Sequence, residues 1–128
     1  MNDRTGFLRR SLQLDGIASG LTGALLLFGA GPVSTLIGLS APAVARLVGA
    51  LLAVYAAALL WNASRTTVSR AETLAAVVLN AAWVLGSLAL IELGPLTTLG
   101  NIAVAAVALA VLGFAMLEIV GLHRLREA

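Results

Sequence analysis

Two carboxylic acids, Asp15 and Glu118, and one amide, Asn80, interrupt stretches of this chain that are otherwise almost wholly apolar. An acid in such surroundings has one chemistry close to hand: it can take up and release a proton, because burial penalises its charged form and a second acid nearby penalises it further. Helical spacing sets other polar groups beside these. Asp15, Ser19 and Thr22 fall at i, i+4 and i+7, Asn80, Trp83 and Ser87 at i, i+3 and i+7, and Tyr55 shares a face with Asn62. The candidates for ligand or proton binding are therefore Asp15, Glu118, Asn80, Tyr55, Trp83 and Asn62. The sharper expectation is that Asp15, Glu118 and Asn80 line a small polar cavity open to the cytoplasm, with Tyr55, Trp61 and Trp83 as aromatic walls for an organic cation.

A plainer expectation stands beside it. Asp15 lies about 7 Å inward of Arg10 at 1.5 Å rise per residue, and Glu118 a similar distance inward of His123. Both acids can then reach headgroup water or an arginine such as Arg70 or Arg124. Asn80 can simply bond across helices, a contribution of about 0.6–2 kcal/mol. Trp61 suits an anchor at the membrane interface, and Arg46 and Glu92 can pair near the opposite one.

Other chemistry finds no footing. The chain contains no cysteine and a single histidine, His123. Thiolate metal sites, disulfides and thiol catalysis are excluded, and a bis-histidine haem site would need a second copy. No nucleophile–base set, phosphate loop or metal cluster is visible, so the expectation is a protein that is not an enzyme and has no metal and no cofactor. A pI near 10.5 suggests nucleic acid, but the net charge is only +2, and the arginines follow a membrane pattern instead.

The elements that must position these residues are long and apolar. The 128 residues are 60% hydrophobic and 11% charged, with a mean hydropathy of +1.02, too few charges for the shell of a soluble domain. Apolar blocks run from Leu12 to Ala30, Ala43 to Trp61, Thr73 to Ile91 and Ile102 to Leu117. A helix needs roughly 20 predominantly apolar residues to cross the hydrocarbon core. These blocks predict an all-α, four-helix transmembrane bundle in one domain spanning 1–128, with helices near 11–30, 43–63, 72–92 and 101–122. The N-terminal MNDRTGFLRR resembles a basic leader, but Gln13 and Asp15 and the lack of an A-x-A exit predict a retained helix.

Charge predicts orientation. Arg4, Arg9 and Arg10 precede the first span, Arg65 and Arg70 lie between the second and third, and Arg124 and Arg126 follow the fourth. Only Arg46 lies on the other side. The positive-inside rule then places both termini in the cytoplasm of a bacterial inner membrane, with two short outer loops. Those loops look alike: Gly31-Pro32-Val33-Ser34-Thr35-Leu36 matches Gly94-Pro95-Leu96-Thr97-Thr98-Leu99. A duplicated helical hairpin with its pseudo-twofold axis along the membrane normal is implied. Each Gly-Pro is expected to end a helix, and Pro42 to open the second span with Ser40 as cap. Gly16 with Gly20, and Ser19 with Gly23, form small-xxx-small pairs for close helix packing, within the bundle or in a homodimer or larger membrane complex. The expected partners are the lipid bilayer and a small apolar ligand, with no nucleic acid.

Three stretches carry a resemblance: LDGIASGLTGALLLFG, NAAWVLGSLALIELGP and GFAMLEIVGLHRLRE. Together with four spans and both ends inside, they resemble small, often uncharacterised, DoxX-like membrane proteins of bacteria. That likeness implies a fold and a location, with a structural, accessory or ligand-binding role. Small multidrug-resistance transporters are similar in having four helices and an acid in the first, a position Asp15 fills. They carry glutamate there, deeper in the helix, and lack a counterpart of Glu118. This second likeness implies proton- or cation-coupled transport of small apolar or cationic molecules as the alternative.

Overall fold

The computed structural model describes residues 3–126, with side chains from Gly6 to Arg124, so the side chains of Arg4 and Arg126 lie outside the described residues. The chain is all-helical: α1 (Asp3–Phe28), α2 (Ala30–Ile37), α3 (Pro42–Ser64), α4 (Arg70–Leu93) and α5 (Thr98–Arg126). Four of these are long and apolar enough to cross a membrane, namely Gly6–Phe28, Pro42–Ser64, Arg70–Leu93 and Thr98–Arg124. The protein is a four-helix transmembrane bundle whose outer surface meets lipid.

Burial is inverted, as hydrocarbon solvent requires. Leu14, Ile17, Leu21 and Phe28 of α1 point outward, as do Leu47, Leu85, Leu109 and Met116 on the other spans. The interior instead collects alanines and polar groups, including Asp15, Asn62, Thr73, Asn80, Ser87 and Glu118. Lipid gives apolar side chains no reason to hide, so small residues that permit close approach fill the helix interfaces.

The tightest interface joins α1 to α3. A Cβ built on Gly49 would lie 2.7 Å from the Gly23 oxygen and 2.7 Å from the Leu27 nitrogen, and one on Gly23 would lie 2.9 Å from the Gly49 oxygen. Gly16 meets the Leu60 side chain and Gly20 the Ala56 methyl. The Gly16, Gly20 and Gly23 face thus packs inside the bundle, on its sequence neighbour. Around the bundle the spans run α3, α1, α5, α4. The ring barely closes between α3 and α4, whose contact is sparse.

At the arginine-rich end the connections are braced by polar side chains. Arg9 donates to the Ala63 carbonyl, to the Arg65 oxygen at 2.7 Å and to the Thr66 oxygen at 3.4 Å, satisfying carbonyls left over where α3 stops. Ser69 caps α4 by accepting from the Glu72 N–H at 3.2 Å, and Glu72 pairs with Arg65. Arg124 stacks 4.3 Å over the Phe7 ring, bringing the start of α1 to the end of α5. Arg65–Glu72 is the sole ion pair between described residues; Arg46 and Glu92 are exposed and do not pair.

The opposite end departs from expectation. The first Gly-Pro does not end a helix: Gly31 and Pro32 lie in the first turn of α2, where proline's missing N–H costs nothing. Helix α2 ends at Gly38, left-handed at φ 92°, while the second Gly-Pro follows α4 as expected, with Gly94 at φ 75°. The two matching hexapeptides therefore differ in conformation, one helical and one a turn. They nonetheless meet, as Thr97 donates its N–H to the Ile37 oxygen at 3.1 Å and its hydroxyl to the Leu36 oxygen at 2.8 Å. Pro42 opens α3 as expected, but Ala41, not Ser40, is the cap residue, and no side chain caps it.

The Gly23–Gly49 crossing yields a stability prediction. Gly49→Ala should lower thermal stability in detergent by about 1–3 kcal/mol, because the methyl meets backbone that cannot rotate away. Gly113→Ala, with nothing within 4 Å of its Cβ, should be neutral or stabilising. Equal behaviour of the two variants in thermal unfolding would refute the packing assigned to α1 and α3.

Candidate functional site

Each spanning helix contributes to one buried polar cluster: Asp15 from α1, Tyr55 from α3, Asn80 from α4 and Glu118 from α5. Asn80 is its centre. One amide nitrogen donates to Asp15 Oδ2 at 3.1 Å and to Glu118 Oε1 at 3.1 Å, while the amide oxygen accepts from the Tyr55 hydroxyl at 2.8 Å. The Tyr55 oxygen also lies 3.1 Å from Asp15 Oδ2, and Ser19 donates to Asp15 Oδ1 at 3.1 Å. Asp15 is 1% exposed and Glu118 0%. Neither touches an arginine, and the second Glu118 oxygen, Oε2, is buried with no partner. The plainer reading, carboxylates reaching headgroup water or Arg70 and Arg124, is not what the structure shows.

The cluster is also not open toward the arginine-rich end. One turn from Asp15, Tyr55, Asn80 and Glu118 in that direction stand Leu12, Leu59, Ala76 and Leu122, with Leu8 and Val68 further along, all buried in one apolar cluster. They form a plug between the carboxyls and that end. The polar cavity expected to open at that end is closed there by leucines.

The open side is the other one. Where α3 and α4 part, a cavity of about 630 Å³ runs between them, backed by α1 and α5. Its walls are apolar, with Leu51, Leu52, Leu79, Val111 and Phe114 among them, and its floor presents Ser19, Tyr55 and Asn80. The two carboxyls do not line it; they meet it only through those three residues. A second cavity of about 650 Å³ continues toward α2. Both share Trp83, whose indole N–H is buried and has no acceptor.

The remaining candidates separate. Asn62 is buried but does not reach the cluster: its oxygen accepts from the Ser69 N–H at 2.7 Å and its amide donates to Thr73 Oγ1 at 3.2 Å, bracing the α3–α4 connection. Trp61 is 66% exposed and lines neither cavity. Thr22 donates to the Ala18 carbonyl of its own helix at 2.8 Å and stands in the wall shared by both cavities. Phe114 and the leucine plug were not singled out from sequence, since an apolar residue in an apolar span carries no distinguishing mark. No group of three or more metal-ligating side chains comes together among the described residues.

Comparison with models of protein families, with curated proteins and with solved structures finds no match for this chain. The class of protein is therefore defined by fold and site alone: a small four-helix membrane protein with a buried acid–amide cluster beneath a lateral crevice.

The bridging amide should contribute heavily to the bundle's stability. Asn80→Leu keeps the branched shape but strands two buried carboxyls, and should cost about 1–3 kcal/mol in unfolding measured in detergent. An unchanged unfolding midpoint would show that the amide holds nothing together.

Proposed function

We propose that this protein is a small ligand-binding protein of a bacterial inner membrane, not an enzyme, with both termini cytoplasmic and a crevice that takes a small lipophilic molecule from the bilayer. One observation carries the reading. The crevice has the volume of an ordinary small-molecule site, roughly 300–1,000 Å³, apolar walls, and a buried indole N–H on Trp83 left without an acceptor. An unmet donor in such a wall costs about 1–3 kcal/mol, and a ligand oxygen is what removes that cost. The ligand class that fits is an apolar body bearing one hydrogen-bond acceptor, such as a ketone, entering between α3 and α4.

A second reading, proton- or cation-coupled transport, is favoured by the acid pair beneath the crevice. It differs in requiring the leucine plug to open, so that the pair meets each side of the membrane in turn. Flux of a lipophilic cation into proteoliposomes, driven by a pH gradient and lost in Leu59→Asp, would support it.

Two experiments test the first reading. Orientation follows from single cysteines in a chain that has none: Thr35→Cys and Thr98→Cys should react in intact cells with a membrane-impermeant maleimide, and Thr67→Cys only after permeabilisation. The reverse pattern would invert the assignment. For binding, the chain has two tryptophans, so Trp61→Phe leaves Trp83 as the reporter. Benzophenone should quench Trp83 saturably in detergent. Diphenylmethane, the same shape without the oxygen, should compete about tenfold more weakly, the value of one hydrogen bond near 1.4 kcal/mol. Absence of saturation, or equal affinity for the two, would remove the reading.

A further inference from the structure

Counting hydrogens in the cluster shows one missing. Tyr55 has a single O–H, yet its oxygen stands 2.8 Å from Asn80 Oδ1, 3.1 Å from Asp15 Oδ2 and 3.4 Å from the Ala76 oxygen, all acceptors. Given to Asn80, that hydrogen leaves the tyrosine oxygen facing a carboxylate oxygen with nothing between them. Given to Asp15, it leaves the Asn80 oxygen unmet. Both Asn80 amide hydrogens are already spent on the two acids, and the Ser19 hydroxyl serves the other Asp15 oxygen. Within the cluster, a protonated carboxyl is the group that can supply a further hydrogen. With no cation in contact, a fully ionised pair would also place two charges in a dry interior, one of them with the unpartnered Oε2 of Glu118.

We infer that Asp15 and Glu118 hold a shared proton, and that a molecule binding in the crevice is taken up together with it. This rests on the crevice reading above. The link runs through Tyr55, which lines the cavity and bonds the cluster at once. A ligand carbonyl oxygen has two lone pairs and can accept from Tyr55 as well as from Trp83, both of which line the cavity. When it draws the Tyr55 hydrogen away from Asn80, a protonated Asp15 can donate to the tyrosine oxygen, whereas an ionised Asp15 would face it with no hydrogen between them. Occupancy and protonation therefore support each other, and by reciprocity each raises affinity for the other. The groups that bear on this proton are Asp15 and Ser19 on α1, Tyr55 on α3, Asn80 on α4 and Glu118 on α5. The arginines nearby are engaged elsewhere: Arg9 on the end of α3, Arg65 with Glu72, and Arg124 on Phe7. His123 is exposed, at the arginine-rich end of α5.

The test uses Trp61→Phe protein in detergent, with benzophenone as probe and infrared spectroscopy on the carboxyls. At neutral pH the empty protein should show a carboxylic-acid C=O band that Glu118→Gln or Asp15→Asn shifts or abolishes. Benzophenone affinity should be constant while the pair is protonated. It should then fall as pH rises past the release of the proton from the empty protein, by about tenfold per pH unit at the limit of one linked proton. Addition of the probe in that falling range should draw protons from a weakly buffered solution. Tyr55→Phe should keep the acid band and lose the pH slope, which guards against a carboxyl variant that fails to fold. No acid band at neutral pH would overturn the shared proton. A pH-independent affinity in the parent protein would overturn the coupling with the crevice reading intact, whereas no saturable quenching at any pH would remove both.

Discussion

The structure turns on one amide placed between two acids inside a bilayer. In lipid no water can solvate an unmatched polar group, so the cheapest arrangement for Asp15, Tyr55, Asn80 and Glu118 is mutual satisfaction. Because each sits on a different span, satisfying them draws all four helices to one point. Apolar side chains supply no comparable force, since lipid is as good a solvent for leucine as the protein interior is. The cluster thus acts on register: a helix that slid by one turn would lift its polar residue out of reach of the other three.

The leucine plug and the arginine braces extend this constraint toward the end where the chain begins and ends. Asn62 clamps the α3–α4 connection through Ser69 and Thr73, and Arg9 from α1 ties the last carbonyls of α3. Leu8, Leu12, Leu59 and Leu122 then fill the space between these braces and the carboxyls. The acids are dry on that side, and their remaining outlet is the crevice floor of Ser19, Tyr55 and Asn80. Closed at one end, the cluster meets the crevice at the other through Ser19, Tyr55 and Asn80.

Much of this was legible in the sequence, and the limits have physical causes. Four spans follow from block length, because hydrocarbon thickness sets helix length directly. Asp15, Ser19 and Thr22 sharing a face, and Asn80 sharing one with Trp83 and Ser87, follow from the helical period, and the structure turns both faces inward. What periodicity cannot say is which inward groups share a level. Asn62 and Tyr55 lie on one face of α3, yet Asn62 is two turns nearer the end and is taken by Ser69 and Thr73. In the sequence, α2 looks like a loop because Gly31-Pro32 resembles a stop, yet a proline early in a helix is as acceptable as one after it. The plug was invisible for a different reason: its leucines differ from lipid-facing leucines only by position in the assembled bundle.

The crevice itself follows from where the small residues are. Gly16, Gly20 and Gly23 on α1 face Leu60, Ala56 and Gly49 on α3, so those two backbones close to near contact along most of their length. A helix drawn so far to one neighbour has less reach for the other. The facing sides of α3 and α4 carry Leu51, Leu52, Tyr55, Leu79 and Trp83, side chains that hold backbones apart. Tyr55 to Asn80 is the side-chain hydrogen bond that spans the gap at its floor, while beyond it the walls diverge around Trp83. The same placement of glycines that tightens one side of the bundle therefore opens the other, and the opening lies directly above the buried acids.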